Sequence, residues 1–127
     1  MKFKTYKRYL ILTLSLFLLL QLSISATITR ITLKNNSEAL KYLPKNYNPN
    51  KRYPILMTLH GLKESPLKSI KYFKPVADEL NMILICPEGQ SFSQAYLRKP
   101  IDDRKNFVNF LNLVATQHKI NKNKSIL

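Results

Sequence analysis

Tyr53-Pro54-Ile55-Leu56-Met57-Thr58-Leu59-His60-Gly61 is the stretch whose reading decides the fold. Between Pro54 and Gly61 lies an apolar run, Ile55 to Leu59, in which only Thr58 is polar. A short apolar run bounded by turn formers predicts a strand buried on both faces, as parallel sheets require. Met82 to Cys86 repeats the pattern and is closed by Pro87 and Gly89. Between the two runs, Tyr72, Phe73, Val76, Ala77 and Leu80 fall at helical spacing, with Ser69 as a cap. Pro75 interrupts that span, so the helix is predicted to start at Lys74 with Pro75 in its first turn. Strand, helix and strand in this order form a βαβ unit, the building block of a parallel sheet.

Toward the amino terminus, Lys45 to Tyr53 is polar and carries Asn46, Asn48, Pro49 and Asn50, which marks a surface loop. Ala39 to Leu43 reads as a weak strand ended by Pro44, and Ile28 to Leu33 as a first strand in partial alternation. Asn35, Asn36 and Ser37 punctuate the two as a turn. Before them, Lys2, Lys4, Lys7 and Arg8 precede an aliphatic run from Leu10 to Leu20, and Ser23, Ser25 and Ala26 follow it. Basic, apolar and small in that order is the layout of a secretory signal peptide, assigned to residues 1–26. The apolar run is shorter than the ~20 residues of a spanning helix, so cleavage is expected, with a retained anchor as the alternative. The mature domain is residues 27–127, in a secreted or periplasmic location after cleavage.

Toward the carboxyl terminus, Ser91 to Pro100 is irregular. Asp102 then caps the clearest helix, with Asp103 adding negative charge where the helix dipole favours it. Phe107, Phe110, Leu111 and Val114 recur at i, i+3, i+4 and i+7, one stripe facing a core. His118 and Lys119 lie where the dipole favours cations, and His118 is expected as a surface residue. Asn121 and Asn123 end the helix, and Ser125 to Leu127 reads as the opening of another buried strand.

An apolar fraction of 45% suits a globular chain. Cys86 is the only cysteine, so packing rather than a disulfide must stabilise the fold. Net charge is +14; without the four basic residues of the signal, 17 Lys+Arg stand against 7 Asp+Glu, a balance of +10. The lysines are scattered singly along the sequence, which predicts a solvated basic surface rather than a nucleic-acid module. Two histidines far apart and a single cysteine give no metal-ligand spacing, and two glycines leave no phosphate-binding loop, so no metal and no cofactor is expected.

In this order the segments resemble the secreted esterase branch of the α/β-hydrolases, and within it the poly(3-hydroxybutyrate) depolymerase-like and feruloyl-esterase-like enzymes. The resemblance is carried by Tyr42-Leu43-Pro44-Lys45-Asn46-Tyr47, the strand ending in His60-Gly61, Pro87-Glu88-Gly89, Asp102-Asp103 with Phe107, and Ile120-Asn121. It spans roughly residues 38 to 127. It implies an α/β fold, the N-terminal part of a sandwich with a mostly parallel sheet, and hydrolysis of a carboxylic ester or polyester. It also implies an oxyanion loop at His60, Gly61 and Leu62, with the backbone N–H of Leu62 as donor and His60 shaping the loop. The loop departs from the pattern in reading Leu62-Lys63-Glu64-Ser65-Pro66, with less glycine than the family carries.

Ester hydrolysis also needs a nucleophilic serine on a strained turn, a histidine base and an orienting acid. By the resemblance all three lie beyond the strand that Ser125 begins, so no catalytic residue is assigned in this chain. Ser65, Ser69, Ser91 and Ser93 lack the Gly-x-Ser-x-Gly context. Capping accounts for Asp102 and Asp103, and Cys86 reads as a small core residue. The expectation is therefore a hydrolase portion, truncated before the nucleophile elbow, that is inactive and unstable alone. The partners implied are an ester substrate, no nucleic acid, and a membrane only through the signal segment. The competing expectation is a small basic protein that binds a membrane or cell-wall surface through an uncleaved signal.

Overall fold

The computed structural model describes residues 27–90, Tyr96 and residues 102–126. The signal assignment, Ser91, Ser93 and Leu127 lie outside the described residues. The elements are β1 (Ile28–Thr32), β2 (Glu38–Tyr42), β3 (Ile55–Met57), α1 (Pro66–Glu79), β4 (Ile83–Pro87), α2 (Arg104–Gln117) and a 3-10 turn at Lys122–Lys124. The four strands form one mixed sheet in the order β1-β2-β4-β3. β3 and β4 are parallel, pairing Ile55 with Ile83 and Met57 with Ile85, whereas β1–β2 and β2–β4 are antiparallel. The parallel character gathers on the β3 side. There Met57 N donates to Ile126 O at 2.9 Å and Ile126 N to Ile55 O at 2.8 Å, so the end of the chain takes up a parallel bridge on the outer edge of β3.

All five residues of β4 are buried, and their alternation divides the core in two. Ile83 and Ile85 face Phe110 and Val114 of α2, together with Ile55 and Tyr53. Leu84 and Cys86 face Ile70 and Ala77 of α1, together with Leu56 and Met82. A continuous apolar strand is thus explained by a helix on each face. β3 is shorter than the apolar run predicts: Thr58 N still donates to Ile85 O at 2.9 Å, but Leu59 has left the sheet and is 46% exposed.

Two expectations need correction. α1 begins at Pro66, not Lys74, and Ser65 is its cap, accepting from Lys68 N. Its packing stripe is Ile70, Phe73 and Ala77, while Tyr72, Val76 and Leu80 point outward, so Pro75 falls mid-helix on the exposed side. Solvent can satisfy the carbonyl that Pro75 leaves without an N–H partner, which is why the helix runs through it. Ser69 caps nothing; it is buried and donates to Thr58 Oγ1 at 3.0 Å. At the start of α2, Asp102 Oδ1 accepts the Arg104 N–H at 3.1 Å, as the expected cap does, and its carboxylate also forks onto the Arg104 guanidinium at 2.7 and 2.8 Å, while Asp103, 1% exposed, makes no side-chain capping bond. That pairing holds the Asp102 carboxyl down at about 2.

Candidate active-site loop

Parallel strands leave a crevice outside their carboxyl ends, where the connecting loops diverge. Here the loops are His60–Ser65 after β3 and Glu88–Gln90 after β4. His60 is only 5% exposed. Its Nδ1 lies 2.9 Å from Gly61 O, and a carbonyl only accepts, so Nδ1 donates to it. Nε2 is buried and has no hydrogen-bond partner. The ring therefore pins the backbone of the next residue.

Tyr96 joins the two loops. Its hydroxyl donates to Pro87 O at 2.5 Å and accepts from His60 N at 3.4 Å, and its ring lies 4.8 Å from the His60 ring and 5.7 Å from Phe107 of α2. Burial, with Cys86 beside it, pushes the phenol well above its ordinary range, so it stays a neutral donor. Cys86 is fully buried at the end of β4 next to Thr58 and Ser69, and burial raises its thiol too, which disfavours a thiolate.

The loop itself is a turn. Glu64 N donates to Gly61 O at 3.0 Å, and Lys63 adopts φ 60° at the third position, where type II turns favour glycine. This is the strain that the glycine-poor loop accepts. Gly61 N donates to Glu64 Oε2 at 3.2 Å, and Glu64 pairs with Lys68 one helical turn on. The Lys68 ammonium and the Gly61 N–H together hold the Glu64 carboxyl below its ordinary range. A Cβ on Gly61 would lie 2.9 Å from Glu64 Oε2, so any side chain there displaces the carboxylate. Leu62 is 65% exposed, and among the described residues its N–H has no hydrogen-bond partner. Beside it opens a cleft of about 270 Å³ lined by Leu59, His60, Gly61, Glu64, Lys68 and Phe73, among others.

His118 lies at the opposite end of the sheet and corrects the surface expectation. It is half-buried, with Nε2 2.9 Å from Lys41 Nζ and Nδ1 2.6 Å from Tyr47 Oη. An ammonium only donates, so Nε2 accepts and Nδ1 donates to the tyrosine. Burial, and then the Lys41 charge, bring His118 down to about 4, so it is neutral at pH 7. Lys41 also donates to Gln117 Oε1 at 2.8 Å, and its own burial lowers its pKa. Sequence reasoning missed Tyr96, Thr58, Ser69 and Lys41. Thr58 lies in the strand before His60-Gly61 and the others in no motif; only the strand alternation and the helix register, once known, bring them together. Among the described residues no three His, Cys, Asp or Glu side chains are grouped to hold a metal ion.

Solved structures resemble this arrangement. An S-formylglutathione hydrolase from Agrobacterium tumefaciens superposes with a TM-score of 0.55 at 12% identity, over 77% of this chain and 46% of that one. A ferulic acid esterase from Anaeromyces mucronatus, solved with ferulic acid, superposes with a TM-score of 0.51 at 18% identity, over 76% and 44%. The chain thus spans less than half the length of either. No protein-family model matches the chain, and no curated protein does.

Proposed function

We propose that this chain, whose fold is the amino-terminal part of an α/β-hydrolase, supplies the oxyanion loop of an exported carboxylic-ester hydrolase. The observation that carries the proposal is the N–H of the exposed Leu62, unpartnered among the described residues, two positions after the buried His60 and beyond the carboxyl end of a parallel strand. Attack on an ester carbonyl places negative charge on its oxygen, and preorganised N–H donors stabilise it most where water is excluded. His60 holds the Gly61 carbonyl, Tyr96 ties that loop to β4, and the Leu62 N–H next to the cleft-lining Gly61 is left without a partner among the described residues. The Gly61 N–H is already engaged by Glu64, whose charge Lys68 offsets.

The remaining chemistry needs a serine nucleophile, a histidine base and an acid. None is assigned within residues 1–127, so the full reaction is proposed for a polypeptide that joins this chain to such residues. Polyesters, feruloylated polysaccharides and simple esters are the substrate classes that fit the reading.

The test has two arms. The 127-residue chain is expected to leave p-nitrophenyl butyrate at its buffer rate. The DNA following the codon for Leu127 is expected to encode Gly-x-Ser-x-Gly within about a dozen codons. In the joined protein, Leu62→Pro removes the donor at a turn position that favours proline, and kcat should fall ~100-fold or more with KM little changed. Ester turnover by the chain alone, abolished by replacing one of its serines, would refute the proposal.

A further inference from the structure

The lysines that look scattered in sequence are sorted by the fold. β1 begins, β2 ends, β3 and β4 begin, and both helices end at one end of the sheet. Among the described residues, six exposed cations lie there: Lys45, Lys51, Arg52, Lys119, Lys122 and Lys124. Only Asp78 and Glu79 oppose them, and Asp78 is engaged by the Tyr42 hydroxyl and Lys45 N, both at 2.7 Å. The other five of the seven acids, Glu38, Glu64, Glu88, Asp102 and Asp103, lie at the carboxyl ends of β3 and β4, where the described cations Arg30, Lys34, Lys63, Lys68, Arg104 and Lys105 come close to balancing them. The molecule is therefore polar in charge along its strands.

Two clefts open at the basic end, of about 480 and 540 Å³, and they meet at Arg52. The first is lined with Lys51, Lys124 and the amide side chains of Asn46, Asn81 and Asn121; the second has Lys119 and Lys122. No carboxylate lines either cleft among the described residues. Clefts with cations and amide donors but no acid suit phosphate oxygens. The same end receives the chain from its apolar amino-terminal segment: Thr27, the first described residue, accepts from Leu43 N where β2 ends. In sequence, the run Leu10 to Leu20, with Lys2, Lys4, Lys7 and Arg8 before it, precedes Thr27.

We infer that this end is a docking surface for an anionic phospholipid bilayer, with the Leu62 loop at the opposite end, turned toward solution. The place where the apolar segment joins favours a bilayer over a soluble polyanion. The six cations keep the surface basic whether or not that segment is retained. The inference does not depend on the hydrolase proposal.

The full chain should cosediment with vesicles of phosphatidylcholine and phosphatidylglycerol (7:3), and 0.5 M salt should release much of it. A juxtamembrane lysine contributes about fivefold to such binding, so K119Q/K122Q/K124Q should weaken it roughly 100-fold. K34Q/K63Q/K105Q, with the same charge change at the other end, should leave it within about twofold. The single variant K122Q, in an exposed turn, should lose about fivefold and keeps the test open if the triple variant misfolds. Equal losses in the two triple variants, equal binding to pure phosphatidylcholine, or equal affinity for soluble polyphosphate would each overturn the inference.

Discussion

Lys41 Nζ donates to His118 Nε2 across 2.9 Å, so a lysine of β2 and the histidine that ends α2 fix each other's protonation. The contact ties the last turn of α2 to the sheet, and it works only while the imidazole is neutral. Protonation would place a donor against an ammonium.

That contact sets a pH window. His118 is lowered from 6.5 to about 4 in the fold, so between those values the unfolded chain binds the extra proton and the folded one does not. Its contribution is therefore complete above pH 6.5 and is lost as pH falls toward 4. With screening at a half-exposed site, the loss should be about 1–2 kcal/mol. Urea midpoints at pH 7 and pH 4.5 should show it, and His118→Gln should flatten that dependence. A wild-type midpoint unchanged across the window would contradict this reading.

Pro75 interrupts the α1 ladder on an exposed face. Pro75→Ala restores an N–H and a better helix former, so the thermal midpoint should rise, with a gain of about 1–3 kcal/mol. A lower midpoint would mean that the kink itself is required for the packing of Ile70 and Ala77.

Ser69→Ala removes the buried donor to Thr58 Oγ1, beside Cys86. Leaving that hydroxyl without its donor should cost about 1–2 kcal/mol in chemical denaturation. Thr58→Val combined with Ser69→Ala should recover part of the loss, since removing both partners is milder than removing one.

Tyr96→Phe keeps the ring against His60 and Phe107 but deletes the hydrogen bond to Pro87 O. Stability should fall by about 1–2 kcal/mol. Amide exchange at His60 should quicken, because its N–H loses the Tyr96 oxygen. Unchanged exchange at His60 would mean that Tyr96 does not hold the loop.

Much of the architecture was legible before any coordinates. The strands expected over Ile55 to Leu59 and Met82 to Cys86 are present at Ile55–Met57 and Ile83–Pro87, and Phe110 and Val114 of the expected stripe face the core. α1 was misplaced because Tyr72, Val76 and Leu80 mimic an apolar face that the fold leaves in water. Helical periodicity identifies a stripe without saying which stripe meets the sheet. Pro75 reinforced the error, since a mid-helix proline is tolerated only where solvent can reach the orphaned carbonyl.

The sequence by itself determined the strand-helix-strand order and the double coverage of β4, because alternation, apolar runs and turn formers act between near neighbours. Tertiary structure alone decided which remote side chains meet: Lys41 with His118, Tyr96 with Pro87, Arg52 with Lys119, Lys122 and Lys124 around shared clefts. Such pairs depend on strand direction and helix register across tens of residues. The long-range packing that sets those has no local signature in the chain.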